Sequence, residues 1–427
     1  MLSAEDNRRL TEVDRGAPMG ELLRRYWHPV AAAADFTGTS VKPLRILGED
    51  LVLFKDAAGE YGLIQRQCPH RLADLAHGFV DGGGLRCNYH GWLFDKQGAC
   101  TAQPFEDLHG DSNAKLKERT RATAYAVREL AGLLWAYLGP APAPELPRWE
   151  PFTWRNGFSQ IVFAHVPCNW FQCQENSIDP VHFEWLHDNW GATVLRGKGT
   201  GYSSAHLKLE FEEFDYGHVY RRIREGFDET HELWTVGRVC LWPNALFTGD
   251  HFEWRVPIDN ENTLSVSWMF ERVPESAEPF EQKEIPAWTG PVSDPETGRY
   301  YTDHLLNQDF VAWLGQGRIA DRTRENLGRS DRGITMLRRR FLSELKAIER
   351  GEDPKGLIRD PKDNDSVALP IANRDMYVKA PTPRQLGEQR RYWAERGIPG
   401  PYIYQYGQPA DVRDAYDEVM GATGDGA

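Results

Sequence analysis

Two short cysteine–histidine pairs are the feature of this 427-residue sequence that most restricts what it folds around. The first is Cys68-Pro-His70 and the second is Cys87-Asn-Tyr-His90. Two thiolates on one iron and two imidazoles on the other hold a Rieske-type [2Fe–2S] cluster. Because imidazole is neutral, such a cluster accepts an electron more readily than an all-cysteine one, at roughly −150 to +300 mV. The pairs therefore predict a redox centre that relays electrons.

Structural zinc is the alternative for the same four residues. Zinc modules usually place the two cysteines close together and the two histidines close together. Here cysteine and histidine alternate, with short gaps inside each pair and a long gap between the pairs. Gly91, after the second pair, and the three glycines at 82–84 supply the turns that two cluster loops need. The order of the four residues and the glycines near them therefore favour the cluster over zinc.

Length and charge limit the class of protein. A chain of 427 residues exceeds what one core usually holds, which favours two domains. A net charge of −13 argues against sequence-independent binding of nucleic acid. No apolar run of about 18 residues is present, so we expect a soluble, cytoplasmic protein without a membrane span. Six cysteines in so long a chain indicate no disulfide framework.

A proline-rich segment divides the chain. From about 42 to 138, short apolar runs separated by Gly, Asp and Asn predict antiparallel strands around both cluster loops. Residues 139–151, GPAPAPELPRWEP, are typical of a semi-rigid spacer. We therefore place an N-terminal helix and the cluster domain at 1–145 and a second domain at 146–427. The helix is predicted at 18–31, ending at Pro29.

The second domain predicts an α+β fold. Several strand-like runs between 159 and 273 indicate a long antiparallel sheet. Residues 274–300, rich in Pro, Gly and charge, predict a long loop. Helices are predicted over roughly 301–350 and at 383–397.

A second cluster of polar residues follows Asn169. His182 and His187 are candidate imidazole ligands of a 2-His-1-carboxylate site, which is typical of non-haem Fe(II) oxygenases. Residues five apart point about 140° apart on a regular α-helix, so one metal cannot bind both. A π-bulge or a helix end between 182 and 187 is therefore predicted. The alternative is a solvated helix face with two unremarkable histidines.

The residues before His182 admit two local structures. Asp179 caps a new helix with Pro180 at its first position, or Pro180 kinks a longer helix that starts near Asn169. We favour the kinked helix, because polar residues recur at helical spacing from Asn169 to Asp179. Buried polar groups need partners, and we expect a metal with its surrounding groups to pair this stripe. Asn176, within it, is a further catalytic candidate.

The third ligand has to come from further along the chain. Asp309 lies in a helical stretch, and spacing alone leaves the competing candidates Asp303, Asp321 and Asp331.

With these motifs the chain resembles the Rieske non-haem iron aromatic ring-hydroxylating oxygenases, in particular the phthalate dioxygenase and aryl O-demethylase group. The matching segments cover nearly the whole chain: 20–31, 68–71, 87–92, 175–187 and 308–309. The resemblance implies an all-β Rieske domain followed by a catalytic domain with a helix-grip (START-like) sheet flanked by helices.

The resemblance also implies the ligands. Cys68, His70, Cys87 and His90 would hold the cluster, and His182, His187 and Asp309 would hold mononuclear Fe(II). Asp179 would be the carboxylate that links a cluster histidine of one subunit to an iron histidine of the next. A head-to-tail homotrimer is implied.

The implied function is that of a terminal oxygenase, which uses O₂ and electrons from NAD(P)H through a ferredoxin or flavin reductase. It would hydroxylate or O-demethylate an aromatic acid, with cis-dihydroxylation of an aromatic ring as the alternative. An electron carrier with a non-catalytic ligand-binding domain is the rival class. For the substrate pocket, Asn244, Phe247 and Arg255 are candidates, with Arg221, Arg222 and Arg238 as further cations for an aryl carboxylate.

Overall fold

The fold was examined in a computed structural model that describes residues 2–109, 114–195, 197, 202–395 and 407–421. Numbered in chain order, its α-helices are α1 (Ala4–Thr11), α2 (Pro18–Leu23), α3 (Pro104–Asp107), α4 (Ala114–Arg119), α5 (Trp170–Asn176), α6 (Glu232–Thr235), α7 (Leu305–Gly315), α8 (Arg332–Glu349), α9 (Asp375–Val378), α10 (Pro383–Glu395) and α11 (Ala410–Met420). A π-helix spans Phe183–Leu195. Among the described helices, none has the length and apolar composition needed to cross a bilayer.

Two antiparallel sheets make up the N-terminal part. The larger has the order β1-β10-β9-β4-β3-β2, from β1 (Trp27–Ala32), β2 (Val41–Ile46), β3 (Glu49–Lys55), β4 (Tyr61–Gln65), β9 (Ala124–Leu130) and β10 (Leu133–Tyr137). The smaller follows chain order, with β5 (Phe79–Asp81), β6 (Gly84–Arg86), β7 (Leu93–Asp95) and β8 (Cys100–Ala102). Both sheets lie between residues 27 and 137, as expected for an all-β Rieske domain.

The helix predicted at 18–31 is too long. α2 ends at Leu23, and Trp27–Ala32 forms the edge strand β1, paired with β10. Pro29 has no backbone N–H to give to a sheet, which an edge strand tolerates, and the register shifts next to it. Pro29 therefore lies inside a strand and does not end the helix.

An eight-stranded sheet dominates the C-terminal part. Its order is β12-β13-β14-β15-β16-β17-β11-β18, from β11 (Gly157–Val166), β12 (His206–Phe214), β13 (Gly217–Arg224), β14 (Arg238–Leu241), β15 (Ala245–Phe247), β16 (His251–Pro257), β17 (Thr263–Arg272) and β18 (Ala287–Thr289). All pairings are antiparallel except that of β11 with β18. This long sheet flanked by helices confirms the predicted α+β class.

The two faces of this sheet have different neighbours. Alternate residues of a strand point to opposite faces. On β16, Trp254 packs edge-on against Trp135 of β10, with ring centroids 5.1 Å apart, so this face meets the N-terminal sheet. Arg255 lies over the ring of Trp313 in α7, 4.7 Å from its centroid. The second face therefore meets the helices that carry the candidate iron ligands.

Two of the remaining predictions need adjustment. The segment 274–300 contains a short strand, β18, which extends the main sheet next to β11. The helical stretch at 301–350 is two helices, α7 and α8, separated by irregular chain. The helix predicted at 383–397 corresponds to α10, and residues 396–397 lie outside the described part. The boundary between 145 and 146 stays a prediction.

A buried ion network holds α5 in place. The Glu175 carboxylate accepts hydrogen bonds from Arg322 at 2.7 Å and from Arg338 of α8 at 2.6 Å. The Gln172 side chain donates to the carbonyl of Trp313 and accepts from the N–H of Ala320. Gln172 and Glu175 of the polar stripe are thus buried but paired by arginines and backbone, and the expectation that a metal site pairs them is wrong for these two residues. Two guanidiniums hold the pKa of Glu175 below its usual value despite burial.

Candidate active site

The two cluster loops have the same local design. In the first, the N–H of Leu72 donates to the carbonyl of Cys68, and in the second the N–H of Gly91 donates to that of Cys87. Each of these closing residues has positive φ, 59° at Leu72 and 75° at Gly91. A Cβ at Gly91 would lie 3.1 Å from Cγ of Pro104, a tight contact that adds to the preference for glycine at this positive φ. Each loop therefore presents one thiol and one imidazole from a tight turn.

The four side chains converge at the tip of the domain. The imidazole rings of His70 and His90 lie with centroids 4.7 Å apart, and His70 stacks on Trp92 at 4.1 Å. Both thiols are buried, and burial together with the adjacent Cys87 raises the pKa of Cys68 to about 12. His90 is exposed. Two buried thiols and two more accessible imidazoles fit a Rieske cluster whose histidine edge can meet another surface.

The π-helix brings His182 and His187 to one side. Backbone pairing from i to i+5 places side chains five apart nearly above one another. His182 directly precedes this helix and His187 is its fifth residue, and the two rings lie 5.3 Å apart. The predicted irregularity between 182 and 187 is confirmed.

Asp309 of α7 completes a cluster of three possible ligands. Its Oδ1 lies 3.4 Å from Nε2 of His187 and 3.8 Å from Nε2 of His182, and the three ligand atoms lie within 4.8 Å of one another. The neighbouring imidazoles keep the pKa of Asp309 below its usual value although burial acts to raise it. The competing candidates Asp303, Asp321 and Asp331 do not join this cluster. A carboxylate and two imidazoles at these separations fit a 2-His-1-carboxylate metal site.

Gln308, the residue before Asp309, orients one of the imidazoles. Nδ1 of His187 donates to Oε1 of Gln308 at 3.0 Å, which leaves Nε2 free to bind a metal. The amide of Gln308 is held in turn by the carbonyl of Thr302, and it packs against Gly191, where a Cβ would lie 2.6 Å from it. From the sequence, Gln308 was only part of the matching segment 308–309. Its position next to a ligand aspartate was the signal for this role.

Asp179 and Asn176 border the same site. Oδ1 of Asp179 accepts from the N–H of Val181 at 2.8 Å, and its Oδ2 lies 3.8 Å from Nδ1 of His182. α5 ends at Asn176, so Asp179 caps the next helical segment and the favoured kinked helix is wrong: a cap with Pro180 at the first position needs no kink. Asn176 donates to Oδ1 of Asp309 at 3.4 Å.

An open groove of about 470 Å³ reaches this edge of the site. Among its lining residues are Asp179, His182, Trp185 and Leu327, of which Trp185 and Leu327 are exposed apolar residues. Asp179 therefore lies where a partner surface can approach the iron histidines from outside.

On the opposite side of the histidines, Phe183 separates them from two arginines. Its ring lies 4.7 Å from that of His182, while the guanidiniums of Arg222 and Arg238 lie 4.6 and 5.0 Å from its centroid. Burial and the charge of Arg238 lower the pKa of Arg222 to about 9. Within the described part of the chain, no ion pair joins either arginine to a carboxylate, and Nε of Arg222 has no hydrogen-bond partner.

The positions of Asn244 and Phe247 correct the prediction that these residues line the substrate pocket. Phe247 stacks on Phe252 on the sheet face that meets the N-terminal sheet, and Asn244 donates to the carbonyl of Arg255. Neither side chain is brought to the iron ligands, because both lie in the core between the sheets. Arg255 lies on the other face but is fully buried and paired with Glu253, so its role toward substrate stays a prediction.

Comparisons with known proteins agree with this architecture. Residues 26–110 match the model of the Rieske [2Fe-2S] domain, and residues 296–369 match a model described as LigXa C-terminal domain like. Among solved structures, Pseudomonas putida CBB5 NdmA with theobromine (a QL mutant) shares the fold, with a TM-score of 0.55 at 19% identity over 77% of this chain and 93% of that one. Dicamba monooxygenase bound to dicamba gives a TM-score of 0.53 at 16% identity, over 77% of this chain and 99% of that one.

Two curated relatives extend over most of the chain. The 5,5′-dehydrodivanillate O-demethylase oxygenase subunit of Sphingobium sp. strain SYK-6 is 56% identical over 98% of this chain and 97% of its own length. The phthalate 4,5-dioxygenase oxygenase subunit of Pseudomonas putida is 32% identical over 83% of this chain and 89% of its own. The chain therefore belongs to the Rieske non-haem iron oxygenases and is an oxygenase component that uses a [2Fe–2S] cluster, mononuclear iron and O₂.

Proposed function

We propose that this oxygenase O-demethylates a methoxylated aryl carboxylate and releases formaldehyde. The observation that carries the proposal is the 56% identity, over 98% of the chain, to a 5,5′-dehydrodivanillate O-demethylase oxygenase subunit. In the overall reaction the methyl ether, O₂, two electrons and two protons give a phenol, formaldehyde and water. A partner reductase or ferredoxin supplies the electrons from NAD(P)H, which suits a cytoplasmic location.

The residues that hold the metals follow from the two sites. Cys68, His70, Cys87 and His90 would bind the cluster, and His182, His187 and Asp309 would bind the iron. An iron held by only these three residues would keep open positions at which it could activate O₂. The chain's own contribution is to orient the ligands: Gln308 fixes the tautomer of His187, and Asn176 supports the carboxylate of Asp309.

The two arginines without a carboxylate ion-pair partner support an anionic substrate. Burying a cation without a counter-charge is costly, and the guanidinium of half-buried Arg238 next to that of buried Arg222 increases the cost. Burial raises the pKa of Asp250, which interacts with the charge of Arg238, to about 6, so this carboxylate offsets part of the two positive charges at neutral pH. A planar substrate carboxylate would supply the missing charge and two acceptor oxygens. With its carboxylate bound there, an aromatic ring would extend past Phe183 toward the histidines.

The surfaces around Asp179 and the cluster support a head-to-tail trimer. The cluster tip presents exposed apolar side chains: Leu72, Phe79, Tyr89, Phe105 and Leu108. The groove at Asp179 offers Trp185 and Leu327 as apolar partners. If the tip of one subunit lies in the groove of the next, exposed His90 meets Asp179; the contact is heterologous, and a threefold rotation between copies would close it into a ring. Asp179 would then carry the electron from a cluster histidine to His182.

The reaction type is tested by the products. We expect the purified oxygenase with a reductase, NADH and 5,5′-dehydrodivanillate to release formaldehyde in proportion to the phenol formed. Phthalate should give no diol. A cis-diol without formaldehyde would instead identify a ring dioxygenase, and no O₂ consumption with any aryl carboxylate would favour the electron-carrier class.

Asp309→Ala is expected to remove the mononuclear iron, because it deletes the carboxylate ligand. Iron analysis should fall to the content of the cluster alone, while the visible spectrum of the cluster stays unchanged. Asp303→Ala, an exposed aspartate just before α7, is the matched control and should keep all its iron. Wild-type iron content in the Asp309 variant would show that another residue is the ligand.

Asp179→Asn is expected to keep both metal centres yet lower turnover by about tenfold to hundredfold, because the amide carries no charge between the two histidines. Metal content, the cluster spectrum and product formation should be measured together. Asp321→Asn, exposed and capping its own loop, should turn over normally. Full activity in the Asp179 variant would contradict the bridging role.

Arg238→Gln is expected to raise KM for a carboxylate substrate by about tenfold to hundredfold, since a charge-assisted hydrogen bond contributes about 1.5–3 kcal/mol. KM for the corresponding methyl ester should change little. Arg221→Gln is the control, because Arg221 points to the other face of β13 and pairs with Glu212. Equal effects on acid and ester would contradict carboxylate binding at this arginine.

A further inference from the structure

A tyrosine from the C-terminal segment packs beside the arginine pair of the catalytic domain. Tyr377 lies on α9, beyond α8 and outside both segments that match family models. Its ring stacks on that of Trp154, with centroids 5.9 Å apart and planes 11° from parallel. This stacking restricts the direction in which the phenol group of Tyr377 points.

The turn between β15 and β16 leaves space for this ring. Gly249, in the turn, has a φ of 119°, and a Cβ there would lie 2.5 Å from Cε2 and 2.8 Å from Oη of Tyr377. Those distances are shorter than a side chain tolerates, so the turn needs glycine to admit the phenol end of the ring. The hydroxyl of Tyr377 therefore lies against the turn at 248–250.

Arg238 lies on the strand beside that turn. β14 and β15 pair Val239 with Phe247, so one step further along the same register Arg238 lies across from Thr248. Burial raises the pKa of Tyr377 well above its usual value, and the charge of Arg238 opposes this rise, as expected for neighbours. The phenol of Tyr377 thus stays protonated near neutral pH, where it can donate a hydrogen bond beside the guanidinium.

The side chains around this point have the exposure of a pocket wall. Four of them keep accessible surface: Phe183, Arg238, Asp250 and Tyr377. Burial nevertheless raises the pKa of Asp250 to about 6, so the region is deep as well as accessible. Groups that are both deep and accessible line a hollow rather than a packed core. Phe183, whose ring also lies 4.7 Å from that of His182, connects the hollow to the iron ligands.

Tyr377 and Arg238 can serve the same acceptor. Among the described residues, no hydrogen bond reaches the hydroxyl of Tyr377, and no ion pair joins Arg238 to a carboxylate. Although burial acts to lower it, nearby phenols hold the pKa of Arg238 above its usual value, so the guanidinium stays charged. A carboxylate has about four lone-pair positions on its two oxygens and can accept from a guanidinium and a phenol at once. A ligand carboxylate therefore complements both donors.

We propose that Tyr377 is a specificity-determining residue that donates a hydrogen bond to the substrate carboxylate bound at Arg238. The C-terminal segment thereby completes the substrate site. This inference rests on the proposed function, because it takes the arginine pair as the carboxylate subsite. A guanidinium attracts any anion, whereas a phenol held by Trp154 adds a donor in one restricted direction. Together they select an aryl acid whose carboxylate and ring have a set orientation relative to His182.

The test measures binding without turnover. Isothermal titration of the anaerobic holoenzyme with 5,5′-dehydrodivanillate gives Kd for the wild type, for Y377F, for R238Q and for the double variant. Y377F deletes only the hydroxyl and should raise Kd by about tenfold or more, because the lost hydrogen bond has a charged acceptor. For the dimethyl ester the change should be smaller, about threefold, since a hydrogen bond between neutral groups contributes less. In the R238Q background the further loss from Y377F should also be small, because both side chains hold one carboxylate.

Tyr416→Phe is the matched control, with unfolding temperatures measured for every variant. Tyr416 is another phenol of the C-terminal segment, and its hydroxyl donates to Glu271 at 2.7 Å, so the variant loses a structural hydrogen bond and should still bind the diacid like the wild type. Equal weakening in Y416F, or equal losses of diacid and ester in Y377F, would overturn the proposal and leave Tyr377 a packing role. An unchanged Kd in Y377F while R238Q weakens binding would overturn this inference alone. An unchanged Kd in R238Q would instead overturn the carboxylate subsite of the proposed function, and this inference with it.

Discussion

The i to i+5 backbone pairing of Phe183–Leu195 is the constraint on which the active site depends. It turns His182 and His187 toward one point, which a regular α-helix cannot do. It also directs Phe183 between the histidines and the pair Arg222 and Arg238. Glu184, the next residue, binds His206 of β12 at 2.8 Å and so ties the helix to the sheet. One irregular helix therefore sets the separations between metal ligands, aromatic ring and cations.

Much of this site could be predicted from the sequence, for identifiable physical reasons. The alternation of cysteine and histidine indicates the cluster because metal chemistry fixes both residue type and order. The five-residue spacing of His182 and His187 predicts an irregular helix because regular geometry forbids a shared metal. The choice of Asp309 as third ligand required a family resemblance. Its spacing in the sequence from the histidines, more than a hundred residues, does not show how close it lies to them in the fold.

What the sequence could not reveal depended on contacts between distant segments. Glu175 reads as part of a metal-site stripe until Arg322 and Arg338, far along the chain, are seen to neutralise it. Phe247 and Arg238 lie on neighbouring strands, and only the register decides which face meets the histidines. A shift of one residue exchanges the two faces of a strand. Pocket residues are therefore the least predictable part of such a site.

Four arginines of the catalytic domain separate into two classes by what neutralises them. Arg322 and Arg338 are paired with Glu175 and stabilise the position of α5. Buried Arg222 and half-buried Arg238 form no ion pair with a carboxylate in the described part of the chain, so the folded chain retains a local deficit of negative charge that a ligand can fill. The same side chain thus serves architecture or substrate recognition, according to the presence of a counter-charge.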